Sequence, residues 1–279
     1  KFKKWNLIIV NNYSSDNTSK LLNKIKIKSK KIKVFNTKKL LTRPAVLNFG
    51  LRLCKSNYIG ILDADDLVSP NWLKDVKDKI SHNKNFGVIV GNYIPINEKN
   101  KKLKKKEFFK IKSGSINHVL SYTFPCAHSG SIFNSNILSK FKCPYDENLL
   151  TGHDWRLFLK ISMFNKILFI NKDWVFWRRY SQSITAQNKL ISKIDILKNL
   201  MYAEKNKPIF FNRMKNNFMR LIQIYHLLQL FFFKKQYIKF LFSLLTMIVF
   251  PLFYFKSNFL IKLYFKRINE FSNDEKKLY

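Results

Sequence analysis

The segment Tyr58-Ile-Gly-Ile-Leu-Asp63-Ala-Asp65-Asp66 is an apolar run with the shape of a buried strand that stops at three carboxylates within four residues. Such a cluster requires counter-charge. The chain carries 52 Lys+Arg against 17 Asp+Glu, a net charge of +35, so two readings of the acids are open. One is a solvated turn whose acids cap the next helix. The other is a site for a divalent cation. A hard cation such as Mg²⁺ or Mn²⁺ takes oxygen ligands, commonly one or two carboxylates together with the oxygens of a bound phosphate. On that reading the natural partner is a nucleotide diphosphate.

The 279 residues suffice for one large domain, or for one of roughly 200 residues with an appendage. A hydrophobic content of 46%, with 27 Phe and 12 Tyr, argues for a packed core in spite of the charge. Cys54, Cys126 and Cys143 are scattered, odd in number and without C-x-x-C spacing. They indicate neither a disulfide framework nor structural zinc, and a reducing cytoplasm is the simplest setting. The positive charge suits an anionic partner, whether nucleic acid, an anionic membrane surface or a phosphorylated substrate. It also fits the Lys, Ile, Asn and Phe richness of an AT-biased genome.

Strand and helix patterns alternate along the first two thirds of the chain. Leu7 to Val10 reads as a strand, and Asn11-Asn12-Tyr13-Ser14-Ser15-Asp16-Asn17-Thr18 as a polar loop leading into a helix. Ile32 to Phe35 is a second strand, Arg43-Pro44 opens a helix, and Tyr58 to Leu62 is a third strand. Ser69 and Pro70 suit the N-cap and first position of a helix carrying Trp72, Leu73, Val76 and Ile80. Further strands are expected at Phe86 to Asn92, Ser131 to Phe133, Ile167 to Ile170 and Trp174 to Trp177, with helices from near Asn134 and Trp155. This alternation implies an α/β fold built on a mostly parallel sheet flanked by helices. Ligands in such sheets bind outside the carboxyl ends of the strands, where Asn11 to Asp16 and Asp63 to Asp66 both fall.

The order and spacing of four segments resemble the family 2 glycosyltransferases. They are Leu7-Ile-Ile-Val-Asn-Asn-Tyr-Ser-Ser-Asp-Asn-Thr18, Ala45-Val-Leu-Asn48-Phe-Gly50-Leu51, Tyr58 through Asp66, and Gly152-His-Asp154-Trp155. The resemblance implies a GT-A fold, a nucleotide-sugar donor with a UDP-sugar first in order, Mn²⁺ or Mg²⁺ at Asp65 and Asp66, and inversion at the anomeric carbon. It makes Asp154 the general base, with an N-cap of the helix at Trp155 as the alternative. Donor-binding residues would be Asn11, Asn12, Ser14, Asp16, Asn48, Asp63, Arg178 and Arg179. For the two arginines, a basic strand edge is an equal alternative.

The chain departs from the family pattern in several places. Asn11, Asn12 and Tyr13 stand where paired aspartates and a Gly are usual, His153 stands where Glu is often found before the base, and Arg178-Arg179-Tyr180 replaces an Arg-x-His. An initial strand, roughly thirty residues before Trp5 on the size of one βαβ unit, is absent, which suggests a truncated reading of a longer protein.

The resemblance covers residues 1–188, a GT-A-like domain, and leaves 189–279 as a helical, basic and apolar region. There Phe218 to Phe233 and Tyr237 to Phe255 are very apolar, the second with only Lys239 charged and with Pro251 inside it. A spanning helix takes about 20 apolar residues. The preferred reading is an interfacial hairpin on anionic lipid. A helical subdomain and a spanning helix are the alternatives. The expected role is assembly of bacterial surface polysaccharide or glycolipid on a glycan or lipid-linked acceptor, at the cytoplasmic face of the inner membrane. The competing classes are a non-catalytic membrane-associated scaffold and a basic nucleic-acid-binding protein. No nucleic-acid motif supports the latter.

Overall fold

The structure is a computed structural model and describes residues 4–82, 85–104 and 112–206, together with 213, 215–217, 219, 220, 222–225 and 241. β1 (Leu7–Asn11) and β2 (Ile32–Asn36) form a parallel pair, in register from Leu7↔Ile32 to Asn11↔Asn36, joined through helix α1 (Thr18–Ile27). α2 (Arg43–Leu53) follows, with Pro44 in its first turn, where a missing N–H costs nothing. β3 (Tyr58–Gly60) then leads to the acidic turn, a two-residue β4 (Leu67–Val68) and α3 (Trp72–His82).

The remaining elements build the main sheet and cover it. β5 (Val88–Ile96) is followed by β6 (Gly114–Ser115), α4 (Asn117–Leu120), β7 (Ile132–Asn134) and α5 (Ser135–Leu138). α6 (His153–Ser162), β8 (Ile167–Arg178), α7 (Ile184–Gln187) and α8 (Lys189–Asn206) complete the order. The sheet order is β3-β7-β5-β8-β4, with β6 also on β8. β5 and β8 run parallel, whereas β7 lies antiparallel between β3 and β5, and β4 and β6 pair antiparallel with β8. The α/β architecture is thus as expected, but the pairing is mixed rather than mostly parallel: among the described strands only β1–β2 and β5–β8 pair parallel, and the other four pairings are antiparallel. Two-residue strands such as β4 and β6 are too short to leave a periodic signal in a sequence.

Strand alternation sends neighbouring side chains of β5 into two cores. Val88 and Val90 join Phe133, Phe169, Leu157, Phe158 and the α8 residues Ile194, Leu197 and Leu200 on one face. Ile89 joins Ile132, Leu168, Trp174 and Val76 of α3 on the other. α8, which follows the α/β elements in sequence, therefore packs in the same core as α6. β8 is continuous where two strands were expected, because a bulge in its pairing near Asn92 absorbs the exposed Asn171–Asp173. Beside that bulge, a Cβ on Gly91 would lie 2.5 Å from the ring of the fully buried Trp174, so only glycine permits the approach.

The segment Tyr237 to Phe255 lies outside the described residues except for position 241, as does much of Phe218 to Phe233. Among the described residues, no helix is long and apolar enough to cross a membrane.

Candidate active site

The acids after β3 form a tight turn, closed by the Asp66 amide donating to the Asp63 carbonyl at 3.1 Å. One oxygen from each of Asp63, Asp65 and Asp66 lies within 4.8 Å of the others. Their partners differ. Asp63 pairs with the guanidinium of Arg43, at the start of α2. Asp65 accepts from the Tyr180 hydroxyl at 3.1 Å. Asp66 accepts the Arg178 amide at 2.8 Å through one oxygen, while its other oxygen is buried with no hydrogen-bond partner. Burial pushes the Asp66 carboxyl up to about 6, against the hydrogen bond from Arg178 and the nearby Ser129 hydroxyl, which itself accepts from the Asp63 amide at 3.1 Å, and the charges of Asp63 and Asp65 add to the rise.

An orphaned buried carboxylate oxygen is rare because its desolvation goes uncompensated. Three converging carboxylates, one with such an oxygen, fit a hard divalent cation. The donor set includes Asp63 beside the expected Asp65 and Asp66. Asp63 is also held by Arg43, whose guanidinium is drawn into the same field. Burial works against the Arg43 charge, but Asp63, and more weakly Asp154 and Asp65, raise its pKa above the ordinary value.

At the end of β8, Arg178 ties the acidic turn to the 97–100 turn. Its Nε donates to the Asp65 carbonyl at 2.7 Å, one terminal nitrogen to the carbonyls of Asn97 and Glu98, and the other to Asn100 Oδ1 at 2.8 Å. Arg179 instead lies over the Trp177 ring, 4.4 Å from its centroid. The two expected donor-binding arginines thus occupy different settings, one locked into the turn framework and the other stacked.

The polar loop after β1 is largely self-bonded. The buried Asn11 donates to Ser19 Oγ and Asn36 Oδ1 and accepts from the Ser14 hydroxyl at 2.6 Å. Asn12 exchanges two 2.9 Å hydrogen bonds with the Leu41 backbone, which fastens this loop to the one before α2. Asp16 is exposed and accepts from the Thr18 amide at 2.9 Å, and Thr18, through its hydroxyl first and its amide second, lowers the Asp16 pKa. The Asn11 and Asn12 amides thus fix the loop from within, while Tyr13 to Asn17 are exposed.

Asp154 lies in the first turn of α6, beside a Gly152 that caps the helix in the left-handed region at φ 62°. Its carboxylate accepts from the Trp155 amide at 2.8 Å, and the capping position itself belongs to Gly152. Asp154 acts electrostatically on Arg43, which also feels Asp63 and Asp65, so the helix start and the acidic turn share one field. Behind it, His128 and Tyr145 share a buried 2.7 Å hydrogen bond, and the His153 ring meets both edge-on at 6.4 and 6.0 Å. Burial pushes the His128 imidazole down to about 3 and lowers His153, so both are neutral near pH 7. Asn48, on α2, is buried and bonds the Tyr145 backbone and Glu147.

Arg43, Ser129, Tyr180, His128 and Tyr145 were not among the expected site residues. Tyr180 stands at the departing position of the Arg-x-His pattern, which was the available signal. Arg43 carried one too, as a lone cation at a helix start facing acids on an adjacent strand end. His128, Ser129 and Tyr145 lie in loops whose approach to the site depends on β7 inserting between β3 and β5, a pairing no local pattern marks.

A mixed sheet covered by helices on both faces, with an acidic turn at a strand end and a helix-start carboxylate that shares the field of Arg43 with it, is the arrangement of the GT-A fold. Solved structures agree on the fold. S. aureus TarS 1-349 in complex with UDP-GlcNAc superposes with TM-score 0.57 at 15% identity, covering 80% of this chain and 72% of that one. GalNAc-T7 with UDP, GalNAc and Mn²⁺ superposes with TM-score 0.52 at 15% identity, covering 74% of this chain and 43% of that one.

The model of the family described as glycosyl transferase family 2 matches residues 1–140, and the chain belongs to that family. Among curated relatives, an uncharacterized glycosyltransferase of Methanocaldococcus jannaschii is 25% identical over 157 residues, 55% of this chain and 52% of that protein. One of Rickettsia felis, also uncharacterized, is 29% identical over 178 residues, 61% of this chain and 27% of that protein. The chain spans about half the length, or less, of the curated relatives it matches.

Proposed function

We propose that this chain transfers a sugar from a nucleotide-sugar donor to an acceptor hydroxyl, with inversion. The observation that carries the reading is the pair of features that act together on Arg43, the three-carboxylate turn with its unpartnered Asp66 oxygen and Asp154 at the start of α6. The fold neighbours in complex with UDP or UDP-GlcNAc support UDP as the nucleotide. In this reading a donor diphosphate lies against the acidic turn, where Asp63, Asp65 and Asp66 would hold Mn²⁺ or Mg²⁺ and the ion would supply positive charge to the leaving diphosphate.

Asp154 accepts the proton of the acceptor hydroxyl as its oxygen attacks the anomeric carbon. The new C–O bond forms while the bond to the nucleoside diphosphate breaks on the opposite face, so one displacement inverts the centre. Arg43 offsets the negative charge that the turn and the diphosphate share. Asp16 and the backbone of the loop after β1 border the nucleoside, with Asn11, Asn12 and Ser14 fixing the loop. Asn48 acts at one remove, by holding the Tyr145 loop, while Arg179 is the arginine with a face open to a diphosphate. The acceptor is a glycan or lipid-linked sugar of a bacterial surface polysaccharide or glycolipid, reached from the cytoplasmic face of the membrane. The excess of basic residues suits that anionic surface.

UDP release from a panel of UDP-sugars in the presence of Mn²⁺, with and without candidate acceptors, tests the reading. Turnover that falls at least a thousandfold in Asp154→Asn, with UDP binding retained, is the expected result. Equal turnover in the variant removes Asp154 from the chemistry.

A further inference from the structure

The turn that presents Asp154 is gripped by α8. Thr151 donates both its amide and its hydroxyl to Asp195 Oδ2, at 3.0 and 3.2 Å. One helical turn further on, Asn199 donates its amide nitrogen to the Gly152 carbonyl at 2.8 Å. The same Asn199 side chain accepts from Arg156 Nε at 2.7 Å. Residues four apart share a helix face, so Asp195 and Asn199 reach consecutive residues of the turn from one side. They are 1% and 0% exposed.

The contact is polar and close where helix packing alone would call for apolar side chains. α8 has those as well, in Leu190, Ile194, Leu197 and Leu200, which already anchor it to the core. The polar set adds direction. A Cβ on Gly152 would stand 2.8 Å from Asn199 Nδ2, and the residue's φ of 62° also favours glycine, so the backbone shape and the helix approach require each other. The Gly152 carbonyl accepts from the Arg156 amide at 3.0 Å as well, so Asn199 bonds the group that starts the α6 ladder. Arg156 is fixed in turn by Asp146, by the Lys198 carbonyl and by stacking 4.3 Å from the Tyr202 ring centroid. The buried Asp195 charge is matched by Lys198 at 3.2 Å.

We propose that Asp195 and Asn199 are positioning residues that clamp Thr151 and Gly152 and thereby aim the Asp154 carboxylate at the acceptor hydroxyl. The inference rests on the reading of Asp154 as the base. A misplacement of about 1 Å at a reacting group is enough to cost roughly a hundredfold in rate. The helix that lies beyond the alternating strand and helix pattern is therefore part of the catalytic apparatus.

The test compares Asn199→Asp, Asp195→Asn and Asp154→Asn in the full chain, with UDP-GlcNAc as the probe donor. Asn199→Asp keeps an acceptor for Arg156 and loses the donor to Gly152, while Asp195→Asn keeps an acceptor for Thr151. The clamp predicts that Asn199→Asp lowers kcat about 10- to 100-fold with donor KM and Mn²⁺-dependent UDP affinity within about twofold of wild type. It also predicts faster hydrogen exchange at the amides of 151–155 in that variant, and a kcat loss of about three- to tenfold in Asp195→Asn, whose neutral oxygen accepts more weakly from Thr151.

A folded Asn199→Asp protein with wild-type kcat, or a loss confined to KM, overturns the proposal. Should that variant not fold, Thr151→Val removes one of the two bonds to Asp195 and predicts a kcat loss of about three- to tenfold at unchanged UDP affinity. Unchanged kcat there also contradicts the clamp. If Asp154→Asn turns over like wild type, the base assignment fails by itself. The clamp then stands or falls on whether exchange at 151–155 accelerates in Asn199→Asp.

Discussion

Asn48 and Tyr145 exchange two buried hydrogen bonds across 97 residues of sequence, Asn48 Nδ2 donating to the Tyr145 carbonyl at 2.9 Å and the Tyr145 amide donating to Asn48 Oδ1 at 3.0 Å. The pair fixes α2, which begins at Arg43, to the loop that backs the His153 and Asp154 helix start. An amide that serves both as donor and as acceptor is the residue type such a backbone pairing needs.

Replacing Asn48 by Ala removes both bonds and the one to Glu147, and leaves the buried Tyr145 amide and carbonyl without partners. A loss of about 2 to 4 kcal/mol of unfolding free energy is expected, with UDP affinity of the folded protein changed less than threefold. Urea denaturation and calorimetry measure the two quantities. Loss of UDP binding at unchanged stability would instead place Asn48 against the donor.

Arg43 competes with a cation for Asp63. Arg43→Gln removes that competition and leaves three carboxylates with less counter-charge. Mn²⁺ is therefore expected to bind the nucleotide-free variant more tightly, by roughly three- to tenfold. Titration followed by the paramagnetic signal of free Mn²⁺ decides it. Weaker binding would mean that Arg43 organises the turn more than it opposes the ion.

The buried His128 makes stability fall on acidification. Its folded pKa, about 3, lies below the ordinary value of 6.5, so the unfolded chain takes up a proton that the folded one refuses. Stability from this residue is present above about pH 6.5 and is lost as the pH falls toward 3. By linkage the loss between pH 7 and pH 5 is about 2 kcal/mol. The stability gap between wild type and His128→Asn should narrow by that amount over the same interval in chemical denaturation. A gap independent of pH would show that His128 takes up its proton as readily in the folded protein as in the unfolded chain.

The elements with a strong local signature were legible in the sequence. β1, α1, β2 and α2 carry continuous periodic patterns, and their boundaries agree closely with the expected ones. The helix expected from Ser69 begins at Trp72, because Ser69 first closes a turn by accepting the Trp72 amide on its carbonyl at 3.0 Å. β3 ends at Gly60, short of Leu62, although Ile61 still donates to the Ser131 carbonyl at 3.0 Å and accepts from the Gly130 amide at 2.7 Å, so the pairing stops only one residue before Leu62. The acidic turn was visible because its residues are contiguous. The burial that leaves one Asp66 oxygen unpartnered was not, since it depends on Arg178, 112 residues away. Tyr180 and His128 reach the site through long-range pairing, and the grip of α8 on Gly152 depends on packing between elements some 47 residues apart.

The most direct measurement is calorimetric titration of UDP and GDP, each with and without Mn²⁺, into the protein and its Asp65→Ala form. The account predicts that UDP binds, that Mn²⁺ strengthens the binding at least tenfold, and that Asp65→Ala abolishes that gain while the fold persists. UDP binding of equal strength with and without Mn²⁺, unaffected by the substitution, would contradict the metal-diphosphate site at the acidic turn.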